Sequence, residues 1–252
     1  MAERAGGSKY VPGTYAKPRP SSSEMANRYI RDWDEKHRGK EAKEPRAVEY
    51  PPTICISRKL GSGAVEIADL VAQQIGYRVV DQQILQHIAT NASLSEKTVA
   101  IFDERYPGKI SELVTLAFGE KAFIKSDYAK HLFSSVYAIA ALEPTIFVGR
   151  GVHLLLSREK VLAVRIISSD QFRIQRLVAL MNISKEEAAK QISELDRLQA
   201  AFFKEVFNKK DASPYEFDLV INCDYIKEPR SAAEIILTAF GRKFGVPEMG
   251  GR

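Results

Sequence analysis

Gly61, Ser62 and Gly63 lie in the stretch "ISRKLGSGAVEIADLVAQQIG" (56–76), between an apolar run and a helix-like pattern. Two glycines allow a tight turn and a close approach of backbone to a ligand. A helix starting near Ala64 would aim its first N–H groups and its positive dipole end at that turn, an arrangement that holds anions. The fuller phosphate-binding pattern G-x-x-x-x-G-K-[ST] is not met. With Gly63 as its second glycine, Arg58 stands in place of the first, Ala64 of the lysine and Val65 of the metal-binding hydroxyl. Arg58 and Lys59, just before the turn, could supply the missing cation from a different backbone position. The same residues would serve an ordinary strand-to-helix turn equally well. Asp81, at the end of another apolar run and before Gln82 and Gln83, could bind magnesium through water, act as a weak base or cap the next helix. The histidines, His37, His87, His131 and His153, show neither triad nor metal spacing, so no metal ligand is assigned.

The elements that must position these residues follow from periodicity. "TICIS" (53–57), "RVVD" (78–81), "TIFVG" (145–149), "VLAVRIIS" (161–168) and "DLVINC" (218–223) read as strands bounded by Gly, Pro or polar residues. Segments 63–75, 82–91, 95–104, 126–142, 170–181, 184–207 and 230–243 read as helices. Strands alternating with helices imply an α/β fold with a parallel sheet, right-handed crossovers and ligands at the strands' carboxyl ends. The stretch 82–143 is too long for one crossover and reads as a helical insertion. A second helical excursion covers 180–207, with Ser184 and Glu187 at capping-box spacing.

Composition bounds the partners. With 252 residues and 45% hydrophobic content the chain can bury a large core. Residues 1–52 hold 11 Lys/Arg against 8 Asp/Glu, or +3 of the formal +5, together with 6 of the 11 prolines. This segment is expected to be a largely disordered tail. A short helix over 24–37, capped by Ser23, would carry a Met25, Tyr29 and Trp33 stripe that could dock on the main domain or on a partner. The domain proper is expected over 53–245, with 246–252 as a flexible C-terminus. Its near-neutral balance of +2 disfavours a nucleic-acid surface. No apolar stretch approaches the roughly 18 residues of a membrane span, and a cytoplasmic location is expected. Cys55 and Cys223 lie within strand-like runs and read as buried, inert thiols.

The segments "TICISRKLGSGAVEIADLVAQQIGYRVVDQQIL", "IFVGRGVHLLL", "VRIISSDQFRIQRLVALMNISKEEAAKQISELDR" and "YEFDLVINCD" together resemble the cytidylate-kinase-like family, in order, over roughly residues 53–240. The resemblance implies a three-layer P-loop kinase-like fold with a helical nucleotide-binding insertion at 82–143 and a lid at 182–212. It implies ATP and Mg2+ as cofactors. The turn from Arg58 and Lys59 through Gly61, Ser62, Gly63, Ala64 and Val65 would be the family's own form of phosphate loop, usually without a lysine. "GRG" at 149–151 takes the place of a Gly-Arg-Asp motif that holds the acceptor nucleotide. Arg150 matches its arginine, whereas Gly151 replaces the aspartate that would select cytosine or its sugar. Asp81 falls where related kinases turn toward the acceptor. In and just before the lid, Arg173 and Arg176, three apart on one helix face, and Arg197 from the following helix would neutralise the transferring phosphates, although each could instead be a surface ion-pair residue.

Two function classes follow. One is an enzyme that transfers a phosphoryl group from ATP to a nucleoside monophosphate, CMP-like, or to a similar small acceptor. The other is a nucleotide- or anion-binding module with little or no kinase activity, acting as a sensor or partner-binding protein. The missing lysine and hydroxyl favour the second, and the arginines and lid favour the first.

Overall fold

The computed structural model describes residues 9–38, 50–103, 127–210 and 212–245. The first eight residues, 39–49, 104–126 and the expected flexible end at 246–252 lie outside the described residues. Five strands, β1 (Thr53–Arg58), β2 (Arg78–Asp81), β3 (Thr145–Val148), β4 (Val161–Ile167) and β5 (Leu219–Asn222), form one parallel sheet ordered β2-β3-β1-β4-β5. They are the five apolar runs of the sequence. Every residue of β1 and β3 is buried, as expected of parallel strands covered on both faces.

Eight helices are described: α1 (Ser22–His37), α2 (Ala64–Ile75), α3 (Gln82–Thr90), α4 (Ala92–Asp103), α5 (Asp127–Leu142), α6 (Asp170–Met181), α7 (Lys185–Phe207) and α8 (Pro229–Phe244). Side chains alternate across a strand, so Ile54 and Ile56 face α2 and α8 while Cys55 faces the opposite layer. That opposite layer is built by α1, α3, α4 and α5, and it shares one core with Phe147. The described part of the 82–143 insertion is therefore joined to the main core rather than standing as a subdomain. The chain leaves β1 toward β2 on one side, whereas β4, the other neighbour of β1, leads to β5 on the other. This divergence opens a crevice at the carboxyl end of β1. No described helix is long and apolar enough to cross a membrane.

The expected tail needs correction. Residues 9–38 are docked on the domain, and Trp33 is fully buried. The stripe of Met25, Tyr29 and Trp33 enters the main core, so burial of large aromatic area offsets the chain entropy that composition alone leaves unopposed. Polar anchors fix it: the Trp33 indole donates to Glu143 at 2.6 Å and Arg78 pairs with Asp32 at 2.9 Å. The cap is Ser21 rather than Ser23, in a capping box with Glu24. At α7 only half of the expected box forms, because Ser184 caps the Glu187 N–H while the Glu187 carboxylate accepts from Gln191.

Candidate functional site

At the carboxyl end of β1 the chain passes through Gly61 and Gly63, with φ of +82° and +85°, into α2. These angles are rarely open to side-chain-bearing residues. A Cβ on Gly63 would lie 3.2 Å from the Arg176 guanidinium carbon, so this arginine of α6 lies against the turn. It is held there by Glu66 at 2.7 Å. Gly63 provides no side-chain cap, which leaves the first N–H groups of α2 without intrahelical acceptors. The Ser62 hydroxyl is buried and has no partner. Ala64 and Val65 bury their side chains in the α2 core and can offer the turn only backbone N–H. Tyr10, Gly13, Thr14 and Tyr15 close over this turn and leave about 20 Å³.

Beside the turn, a cavity of about 480 Å³ opens between α3, α7 and the end of β3. Small-molecule sites typically span about 300–1,000 Å³. Arg58 and Arg150 both line it. Arg58 is 6% exposed, and its guanidinium donates to Gln82 at 2.7 Å. Gly149 makes room for it, since a Cβ there would lie 2.4 Å from Arg58 Nη1. Arg150 has φ +55°, a sharp left-handed turn after β3 that sends its side chain into the cavity. It donates to Gln86 and stacks 4.4 Å over the Phe202 ring, while its Nε is buried without a partner.

Among the described residues neither arginine is within ion-pair distance of a carboxylate. Burial pushes the Arg58 guanidinium down to about 10, against the pull of Asp81 and with Arg150 and Arg165 repelling it. Burial likewise lowers Arg150. Two desolvated cations facing one cavity, without a protein counter-ion, make a strongly anion-attracting site.

The other expected site residues are placed differently. Arg173 is fully buried and does not face the cavity: it grips Asp196 through both Nη atoms (2.9 and 2.8 Å), Asp170 at 2.5 Å and the Leu60 carbonyl at 3.1 Å. It fastens α6 to α7 and to the glycine turn. Arg197 is exposed on α7 and lines neither cavity. The four arginines expected to serve phosphates are thus dispersed, with Arg176 on the turn, Arg173 behind it, Arg150 in the cavity and Arg197 on the surface. Lys59 borders the turn and a second hollow shared with Arg165 and Asp196. Asp81 caps α3, accepting from the N–H groups of Gln83 (2.9 Å) and Ile84 (3.0 Å). Its other oxygen pairs with Arg19 at 2.6 Å.

Sequence reasoning missed Gln82 and Gln86 as cavity residues, although their spacing places both on one face of α3. It also missed Phe202, whose ring backs Arg150, and the residues at 10–19 that cover the turn. At Gly151, φ is +69° and a Cβ would lie 2.5 Å from the Phe207 ring. Phe207 therefore fills the space into which an aspartate side chain would project. Nucleotide phosphates fit the chemistry of the turn, with its glycine cradle, its orphaned Ser62 hydroxyl and Arg176. For magnesium, no cluster of three or more His, Cys, Asp or Glu exists among the described residues.

A parallel sheet between two helical layers, with a glycine turn and a cationic cavity at its carboxyl edge, defines a three-layer P-loop kinase-like fold. The chain belongs to the cytidylate kinase-like family, whose model matches residues 53–225. Among solved structures, an uncharacterized protein from Eubacterium ventriosum is similar over 75% of this chain and 98% of its own, at 16% identity and a TM-score of 0.57. This is a likeness of fold. A shikimate kinase from Bacteroides thetaiotaomicron aligns over 77% of this chain and 98% of its own, at 14% identity and a TM-score of only 0.40, too low to carry an argument. No curated protein matches the sequence.

Proposed function

We propose that the chain transfers a phosphoryl group from ATP to a nucleoside monophosphate or a similar small phosphorylated acceptor. The observation that carries this reading is the pair Arg58, buried, and Arg150, half-buried, both without a carboxylate partner among the described residues and facing one cavity next to the start of α2. An acceptor phosphate between the two guanidinium groups would supply the counter-charge that the protein lacks. Donor phosphates would lie on the N–H groups of Ser62 to Val65, with Arg176 alongside. Transfer of this kind depends mainly on positioning and charge stabilisation, which these groups are suited to provide. Magnesium would arrive bound to the nucleotide and supply further charge neutralisation. The glycine at 151 removes the carboxylate that would choose cytosine, so the choice of base is expected to be broad.

The test is a coupled ADP-release assay over a panel of nucleoside monophosphates, with and without magnesium. Release that requires both acceptor and magnesium, and that Arg150→Ala abolishes, is the expected result. The second reading is a nucleotide- or anion-binding module, favoured by Ala64 and Val65 standing where a lysine and a hydroxyl would be. ATP binding without acceptor-dependent ADP release for any member of the panel would favour that reading and refute the enzyme.

A further inference from the structure

We infer that residues 10–19 form an internal competitor for the phosphate donor: a strap across the glycine turn that must lift before ATP can enter. The inference rests on the donor site proposed above and goes beyond it, because the strap lies outside the residues matched by the family.

Space is the first argument. The volume left between the strap and the turn is about 20 Å³. A single water needs roughly 10–15 Å³ on this measure, so a phosphate group is excluded while the strap is down. Gly13 shows how close the strap lies: a Cβ there, at φ +103°, would be 3.3 Å from Asp81 Oδ2 and 3.4 Å from Val65 Cγ2.

The second argument is that the strap is anchored at both ends to different parts of the site. At one end, the Tyr10 ring packs with Leu177, Ala188 and Ile192 between α6 and α7, and its N–H donates to Gln191 at 2.8 Å. At the other, the Tyr15 hydroxyl donates to Asp69 of α2, and Arg19 pairs with Asp69 at 3.2 Å and Asp81 at 2.6 Å. The strap therefore clips the α6–α7 hairpin to the main domain above the turn. Two prolines within it, Pro12 and Pro18, and Pro20 directly after it fix φ at three positions and limit the strap to few conformers. Arg19 also neutralises Asp81, so a lifted strap frees both the donor cradle and the acidic group at the end of β2.

The anchor at Tyr15 and Arg19 is polar and partly buried, which suits a contact that holds in the absence of ligand and yields to one, while the buried Tyr10 ring keeps the strap tethered. If the closed form dominates, weakening an anchor raises the open fraction and lowers the apparent Kd by the same factor. Arg19→Gln and Asp69→Asn attack the same anchor from opposite sides, and neither residue belongs to the proposed phosphate or acceptor sites.

The experiment uses the full-length chain, with folding of each variant checked by circular dichroism. Titration calorimetry gives the Kd for magnesium-ATP, and hydrogen exchange follows the Tyr10 and Thr14 amides. Saturating ATP is expected to speed exchange at both amides in the wild type. Both variants are expected to exchange faster without ligand and to bind ATP roughly five- to tenfold more tightly. Faster exchange with an unchanged Kd would overturn the strap as a competitor and leave the donor site standing. Amides that stay protected in the ATP-saturated wild type would do the same. A complete failure of the loosened variants to bind ATP would overturn the strap and the proposed donor site together.

Discussion

Arg173 and Arg58 are buried and Arg150 is half-buried beside Arg58, and what separates Arg173 from the other two is what surrounds the guanidinium. Arg173 has two carboxylates and a backbone carbonyl, which hold its guanidinium raised although burial alone would lower it. Arg58 and Arg150 have glutamine amides for partners, and burial lowers both. A desolvated cation with its counter-ions in place joins elements of the fold, whereas one without them lacks a partner that a ligand can supply. The contrast separates anchoring from binding more sharply than position in the lid or distance from the turn.

The largest effect that would break this contrast is on stability. Arg173→Leu removes the bond to the Leu60 carbonyl and both carboxylate pairs at once. It is expected to cost about 3 kcal/mol, below the upper range for a buried pair because Asp170 and Asp196 remain partly solvated. For a chain of this size that is a fall in Tm of roughly 6–12 °C. Urea unfolding measures it, and a variant of wild-type stability would show that Arg173 anchors nothing.

His153 sharpens the comparison because, unlike an arginine, it can shed its charge when buried. It is 4% exposed, with Nε2 3.4 Å from Glu216 and its ring 4.7 Å from that of Phe217. Burial pushes its pKa down to about 4, against the opposing pull of Glu216 and with Arg165 and Arg158 adding to the shift. The folded state thus takes up a proton later than the unfolded chain, whose histidine titrates near 6.5. Stability is full above about pH 6.5 and falls as the pH drops toward 4, by about 3 kcal/mol in all. Urea midpoints across this window should show the loss, and His153→Asn should flatten it. An unflattened slope in that variant would assign the acid sensitivity to other groups.

Much of the fold was legible because β1 to β5 are continuous apolar runs, and burial on both faces leaves few alternatives for such segments. The glycine turn was legible for a local reason, a strand, two glycines and a helix start in ten residues. What stayed hidden depends on partners distant in sequence. The docking of α1 rests on Trp33 meeting Glu143, and nothing near Trp33 announces a residue 110 positions away. Arg173 and Arg176 share a helix and a spacing, yet Asp196 claims the first and Glu66 the second. The segment "YAKPRP" has the composition of a linker, and only the carboxylates at 69 and 81 convert it into a docked strap. Gln82 and Gln86 were within reach of helical periodicity and were passed over because amides carry no charge to attract notice.

The smallest stability change belongs to Arg150, and it is the sharpest test of the contrast. Arg150→Met keeps a long apolar stem over Phe202 and removes a desolvated cation that has no carboxylate to leave behind. Stability is therefore expected to stay within about 1 kcal/mol of wild type, since replacing a buried charge with an apolar group of similar size is often neutral or favourable. Binding is expected to move the other way. A charge-assisted bond to a phosphate contributes about 1.5–3 kcal/mol, so the nucleoside monophosphate that performs best in the ADP-release panel should bind roughly ten- to a hundredfold more weakly. Calorimetry and urea unfolding on the same preparation separate the two quantities. A variant that loses stability as Arg173→Leu does, while keeping its affinity, would make Arg150 an anchor and remove the basis for distinguishing the two kinds of arginine.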